Sequence, residues 1–256
     1  MKVVLIGAGN VATRLSLRMQ QVGMEVVQVY SHTASSAELL SGRLNCAWTT
    51  ELAELTSEAD LYLISVKDAV LAEVIGQLKP NRALWVHTAG SMPMDLFEGQ
   101  MERYGVLYPL QTFSKERAVR MEGIPFFVEA HTPEDVAVLC QVAEALSGNV
   151  QLLSSEKRRT LHLAAVFACN FTNHMYALAG KLLAEEGIPA DSLLPLIDET
   201  AAKIHQLSPA EAQTGPAIRY DKNVINKQLA MLTDPDMKSV YQLLSQSIHK
   251  EATQNE

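Results

Sequence analysis

The stretch Lys2-Val3-Val4-Leu5-Ile6-Gly7-Ala8-Gly9-Asn10-Val11-Ala12 decides the fold. The run Lys2–Ile6 is short, apolar and rich in Val and Ile, the pattern of a strand buried on both faces. Val11, Leu15 and Met19 then recur every four residues, and Gly23 follows as a stop, so a helix comes directly after the glycines. Strand, Gly7-x-Gly9-x-x-Ala12, helix is the dinucleotide-binding fingerprint in its proper context. Gly7 permits the tight turn, Gly9 lets the backbone approach a pyrophosphate, and Ala12, in place of a third glycine, permits close helix–strand packing. Asn10 and Val11 open the helix, whose free N–H groups and positive dipole end suit phosphates. The plain alternative is a tight βα turn without a ligand.

Outward from this stretch, Glu25–Tyr30 reads as the next strand. Apolar runs at Leu61–Ser65, Ala83–Val86 and Val106–Leu107 alternate with helical or polar segments. Phe126–Val128 and Val150–Leu153 read as late strands, with a helix over Pro133–Leu146 between them. Such alternation implies right-handed crossovers and a mostly parallel sheet. After Ser154 the character changes. Ser155–Glu186 reads as one long helix ended by Gly187, and Leu161–Phe171 within it is apolar almost all round, which predicts burial, in a subunit interface among other places. Ser208-Pro209-Ala210-Glu211 is a capping box with Pro at the first helical position, and Asp234-Pro235 is another helix start. The expected class is therefore α/β: a Rossmann-type, doubly wound, mostly parallel sheet followed by an all-α domain. A dinucleotide-binding domain is expected over 1–153 and a helical dimerisation and substrate domain over 154–256, with the polar tail Glu251–Glu256 frayed.

The chain's 256 residues suit one large or two modest domains, and 48% hydrophobic residues suffice for a core. A net charge of −8 gives no basic footprint, which argues against nucleic acid. No apolar run reaches the ~18 residues of a membrane span. Strand-like sequence starts at Lys2, with no targeting segment before it. Cys46, Cys140 and Cys169 are far apart and odd in number, fitting neither a zinc pattern nor a disulfide framework. Reduced, mostly buried thiols in a cytoplasmic protein without a metal are expected.

The tip of the second strand chooses between cofactors. It reads Tyr30-Ser31-His32-Thr33, then Ala34-Ser35-Ser36, with no carboxylate to hold a ribose 2′-hydroxyl or repel a 2′-phosphate. Ser31, Thr33 and Ser36 can donate hydrogen bonds and His32 can add positive charge, so NADP(H) is favoured over NAD(H). The tip lacks an arginine; Arg14 and Arg43 are the candidates to approach it.

The glycine loop, the Ser31-His32-Thr33 tip and Ser65-Val66-Lys67 together resemble the pyrroline-5-carboxylate reductase and 6-phosphogluconate dehydrogenase superfamily. His87-Thr88-Ala89-Gly90-Ser91, Tyr108-Pro109-Leu110-Gln111-Thr112-Phe113-Ser114 and Thr214-Gly215-Pro216-Ala217 narrow the resemblance. They look like a bacterial family of putative NADP oxidoreductases with a Rossmann-like domain before a helical domain of unknown function. The resemblance covers nearly the whole chain and implies NADP binding and a homodimer built through the helical domain. It further implies that Val66 and Lys67 line the adenosine–ribose side of the cofactor and that Thr88-Ala89-Gly90 lies near the nicotinamide. The superfamily's hydroxyacid dehydrogenases carry a lysine four residues before an asparagine on the interdomain helix; here Val166 precedes Asn170 and Cys169 precedes Asn173.

Ligands of open α/β sheets sit beyond the carboxyl ends of the strands, so His87 and Gln111 should face the crevice. His87 is the first candidate to move a proton, the alternative being a histidine that holds its loop. On the long helix, His162, Asn170, Asn173 and His174 share roughly one side and could meet a substrate, the nicotinamide amide or a dimer partner. His87, Asn170 and Asn173 are taken as the catalytic candidates. The expected function is an NADP(H)-dependent oxidoreductase moving a hydride to or from a C=O or C=N bond of a small polar substrate. A dinucleotide-binding sensor or scaffold without turnover is the alternative, and a deazaflavin in the same fold is a third.

Overall fold

The computed structural model describes residues 1–254. Its contacts divide the chain into two units, one spanning Met1–Asn170 and one beginning at Phe171.

The first unit holds eight strands: β1 (Lys2–Ile6), β2 (Glu25–Tyr30), β3 (Ala47–Thr49), β4 (Leu61–Ile64), β5 (Leu84–His87), β6 (Tyr104–Pro109), β7 (Phe126–Ala130) and β8 (Val150–Leu152). They form one sheet in the order β3-β2-β1-β4-β5-β6-β7-β8. Every neighbouring pair is parallel except β6 and β7, which run antiparallel. The helices are α1 (Asn10–Gln21), α2 (Ala34–Leu44), α3 (Asp68–Gln77), α4 (Pro133–Ser147) and α5 (Ser155–Ala165).

Alternation along β1 explains the double winding. Val3 and Leu5 enter a core with Leu15 and Met19 of α1, Leu40 of α2 and Leu139 of α4. Val4 and Ile6 point the other way, into a core with Leu71 and Ile75 of α3 and with Tyr62 and Trp85. A strand clothed by helices on both faces has no polar side, which is why its sequence reads as a continuous apolar run. The Rossmann-type reading is thus met. β3 escapes the sequence reading because it is three residues long, and two of them, Ala47 and Trp48, are exposed at the sheet edge.

The second unit is helical: α6 (Thr172–Glu185), α7 (Leu194–Lys203), α8 (Pro209–Ala212), α9 (Lys222–Met231) and α10 (Pro235–Gln254). The Ser208 hydroxyl accepts from Glu211 N at 3.3 Å while the Glu211 carboxylate accepts from Ser208 N at 2.9 Å, completing the capping box. Asp234 Oδ1 accepts from Asp236 N and Met237 N to cap α10. Of the tail expected to fray, the segment through Gln254 is helical, and Asn255 and Glu256 lie outside the described residues.

The long helix is interrupted. Between α5 and α6 a π-turn spans Val166–Phe171, a local widening that its apolar pattern does not reveal. The burial expected over Leu161–Phe171 is also corrected for the single chain: Leu163, Phe167 and Phe171 stay 59%, 62% and 49% exposed. Hydrophobicity all round a helix states a need for cover, not which chain supplies it. The three cysteines are unpaired and half-buried. Among the described residues, no helix is long and apolar enough to cross a membrane.

Candidate functional site

The glycine turn joins the carboxyl end of β1 to α1. Gly7 N donates to the Tyr30 carbonyl at 2.8 Å. Gly7 has φ +117°, and a Cβ there would fall against the Ser65 carbonyl oxygen, so the fold itself demands glycine. Gly9 is different. Its φ of −80° is open to any residue, and a Cβ built on it meets nothing within 4 Å. The space in front of Gly9 is open, and without a side chain there a phosphate could approach the backbone. No side chain caps α1, which leaves its first-turn N–H groups turned toward that space. Asn10 is exposed there, Val11 is half-buried and Ala12 is fully buried.

At the tip of β2, Ser31 is buried, its N–H donating to the Thr49 carbonyl and its Oγ accepting from Thr33 N at 3.3 Å. His32 and Thr33 are exposed and bonded to each other, Nε2 to Oγ1, at 3.1 Å. Thr33 is the N-cap of α2 without a side-chain cap bond, and Ser36 N donates to its carbonyl. The tip is thus a compact, carboxylate-free turn before a second uncapped helix start. Neither arginine completes it: the Arg14 guanidinium donates to the Ser114 and Lys115 carbonyls at 2.7 and 2.6 Å, and Arg43 lies in the last turn of α2.

Beyond β4, half-buried Val66 lies beside Gly7, and exposed Lys67 is the N-cap of α3. Beyond β5, Thr88 Oγ1 donates to Ser65 Oγ at 3.1 Å, and the Ser91 hydroxyl bonds to the Asp68 carboxylate. His87 is fully buried. Its Nδ1 accepts from Ala89 N and its Nε2 pairs with the Pro93 carbonyl, both at 3.2 Å. Burial, reinforced by the nearby Arg158 guanidinium, lowers its pKa to about 4. Buried and bonded at both nitrogens, this imidazole has the arrangement of a histidine that holds its loop, here Thr88–Pro93.

A pocket of about 580 Å³ opens beside that loop in the first unit. Tyr108, Gln111 and Phe113 line one side and Leu161, His162 and Asn170 the other, with the first part of the π-turn included. Tyr108 Oη and His162 Nδ1 are hydrogen-bonded at 2.9 Å. Burial raises the Tyr108 pKa, with Arg158 opposing, so the phenol is protonated near neutrality. One turn before His162 on α5, Arg158 is fully buried. Its Nη1 donates to Glu129 Oε2 at 2.6 Å and its Nη2 to the Met92 carbonyl at 2.6 Å. Glu129 also accepts from Ser155 N and Oγ, at 2.9 and 2.6 Å. This cluster fixes α5 against the end of the sheet and against the β5 loop.

The chain matches a Rossmann-like domain over residues 1–110 and a domain of unknown function (DUF2520) over residues 124–248. It is 52% identical to a putative NADP oxidoreductase from Bacteroides fragilis, covering 97% of this chain and 98% of that one with a TM-score of 0.92. The chain belongs to that family. Family membership joins the Rossmann-like and helical parts in one architecture, as the resemblance implied. More distant folds agree: a 1-pyrroline-5-carboxylate reductase from Streptococcus pyogenes (14% identity, 98% of each chain, TM-score 0.66). An imine reductase from Myxococcus stipitatus in complex with NADP+ is 14% identical, covers 99% of this chain and 93% of that one, and has a TM-score of 0.66. Comparison with curated proteins finds no match.

In this oxidoreductase-family chain, Gly7, Gly9, Asn10, Val11, Ser31, His32, Thr33, Ser36, Val66, Lys67, Thr88 and Ala89 all follow the carboxyl ends of β1, β2, β4 and β5. Asn170 lines the pocket with Gln111, whereas Asn173 falls in the second unit, where it is exposed. Tyr108, Glu129 and Arg158 were missed. Tyr108 was visible only as part of a sequence block, and the Glu129–Arg158 pairing spans 29 residues, with no local signal.

Proposed function

We propose that the protein is a cytoplasmic NADP(H)-dependent oxidoreductase. Its reaction moves a hydride to or from a C=O or C=N bond of a small polar substrate, with reduction as the working direction. The observation that carries this reading is the contrast between the two glycines: Gly7 is demanded by the fold, while Gly9 faces open space under the uncapped start of α1. The family's NADP oxidoreductase and the NADP+-bound imine reductase of similar fold support the same cofactor.

The residues present fit the dinucleotide. Backbone N–H groups at Asn10 and Val11 would hold the pyrophosphate. Ser31, His32, Thr33 and Ser36 would hold the 2′-phosphate by hydrogen bonds, with no carboxylate to repel it. Val66 and Lys67 would line the adenosine ribose, and Thr88 and Ala89 the nicotinamide. When bound, the dinucleotide supplies or accepts the hydride. Asn170, in the pocket lining, orients the polar group of the substrate, and Asn173 on α6 is the polar candidate of the helical half. The division into a cofactor domain (1–153) and a helical domain (154–256) that builds a homodimer belongs to the same proposal; the exposed Leu163 and Phe167 support it.

Fluorescence titration with NADPH and NADH tests the reading. NADPH should bind more tightly, and Ser31→Asp should reverse the preference by repelling the 2′-phosphate. Equal or tighter NADH binding by the wild type would remove the NADP assignment.

A further inference from the structure

The Tyr108–His162 pair takes no part in holding the dinucleotide cradle, yet three independent features bring it to the reacting end of the sheet. Tyr108 is the next-to-last residue of β6, at the carboxyl end where ligands of open α/β sheets sit. His162 follows Arg158 by one helical turn, so the buried Arg158–Glu129 cluster sets where His162 lies. Between them runs the loop after β5. A Cβ on Gly90 would lie 2.5 Å from His162 Nδ1 and 2.8 Å from Tyr108 Cζ, so only a glycine lets that loop close on the pair. The loop is thereby in contact with both rings.

The pocket of about 580 Å³ opens in front of the pair. Its polar groups are the Tyr108 phenol, the His162 imidazole, the Gln111 and Asn170 amides and the hydroxyl and thiol of Thr112 and Cys169. The first unit contributes no lysine, arginine, aspartate or glutamate to its lining. The lining the first unit supplies is therefore neutral and hydrogen-bonding, which suits an uncharged carbonyl or imine. His162 Nε2 has no protein partner among the described residues, which leaves that edge of the ring open to water or ligand.

We propose that Tyr108 delivers the proton to the substrate, that His162 resupplies Tyr108, and that the substrate is a small ketone or imine lacking a carboxylate; this rests on the oxidoreductase reading. In the reductive direction a hydride from the reduced nicotinamide dinucleotide forms the new C–H bond, and the π pair of the C=O or C=N bond moves to the heteroatom. The Tyr108 O–H bond breaks and its proton goes to that heteroatom. The His162 Nδ1–H bond breaks in turn and its proton goes to the Tyr108 oxygen. The His162 ring takes a solvent proton at Nε2 as it releases the one at Nδ1, so its own proton count is unchanged. The nicotinamide is oxidised, the substrate is reduced by two electrons, and one solvent proton is consumed.

Two probes separate proton delivery from shape. Cyclohexanone needs a hydride and a proton, whereas the permanently charged 1,2-dimethyl-1-pyrrolinium ion needs only the hydride. With NADPH, the wild type should reduce both. Tyr108→Phe should slow the ketone by about 10²–10⁴-fold and leave the pyrrolinium within about threefold. His162→Gln should show the same selectivity in milder form. The NADPH dissociation constant, read by fluorescence, should be unchanged in both variants. Saturation-transfer NMR on the NADPH-loaded protein should detect cyclohexanecarboxamide and not cyclohexanecarboxylate. Equal losses on both probes, or an undiminished ketone rate, overturn proton delivery by Tyr108. Preferred binding of the carboxylate overturns the substrate class. A wild type that binds NADPH but reduces neither probe overturns the proposal and leaves the cofactor reading standing. A wild type that fails to bind NADPH removes the oxidoreductase reading beneath it.

Discussion

Acidification should unfold this protein partly through one histidine. In the fold, His87 is buried and neutral, with its pKa pushed down from 6.5 to about 4 by burial and then by Arg158. The unfolded chain takes up a proton at the ordinary value and the folded chain does not. Between the two values the unfolded state holds more protons, so stability falls as pH falls. Integrating that difference from about pH 7 to about pH 5 gives a loss of about 2 kcal/mol from this residue alone. His87→Gln carries no titrating group, so its stability should lack that component of the slope. Near neutrality the variant should already be weaker by about 1–2 kcal/mol, because the Ala89 N–H loses the Nδ1 acceptor. Urea unfolding followed by circular dichroism, at several pH values in this window, measures both effects. If wild type and variant lose the same stability between about pH 7 and about pH 5, His87 does not titrate as its burial requires and the argument fails.

The two glycines of the turn should separate folding from binding. Gly7→Ala should lower stability by about 2 kcal/mol or more, through the positive φ and the Ser65 carbonyl, which a melting curve would show. Gly9→Val should melt within a few degrees of wild type yet lose NADPH in a fluorescence titration; wild-type affinity would sink the dinucleotide reading. Arg158→Met leaves the Glu129 carboxylate without its cation and should cost about 3–5 kcal/mol, with part recovered on adding Glu129→Leu. Urea denaturation of the single and double variants decides that, and an unaffected single variant would refute the tether. Light scattering at micromolar concentration should give the mass of two chains; a clean monomer would contradict the helical-domain dimer.

Periodicity carried the fold because each core-forming strand is covered on two sides. Val3 and Leu5 look one way, Val4 and Ile6 the other, and the apolar run advertises both. Short or direction-dependent features carried no such mark. β3 is a three-residue edge strand, and nothing in Phe126–Ala130 states that β7 runs against β6. The π-turn leaves the apolar pattern of Val166–Phe171 unchanged. In the site, the glycine turn was legible because strand, loop and helix are contiguous. The Tyr108–His162 contact joins residues 54 positions apart, and the Arg14 tether joins residues 100 apart, so neither has a local signature. His87 was read at the right place but with the wrong accessibility, because sequence shows that a histidine ends a strand, not how closely the next loop folds over it.

The reversal of β7 has a consequence for how the enzyme can change. Because β7 starts beside Pro109, the chain leaves β6 and re-enters the sheet at the same rim. The connection 110–125 therefore never has to cross a face of the sheet, and it is released from the length and helix content that a crossover imposes. It carries Gln111, Thr112 and Phe113 of the pocket wall, and its Ser114 and Lys115 carbonyls receive Arg14 from the dinucleotide helix. Surface loops tolerate insertion and substitution better than the strands they join. Under the proposed function, substrate range can accordingly drift through residues 110–113 while the glycine turn keeps its cofactor, and the Arg14 anchor marks where that freedom ends.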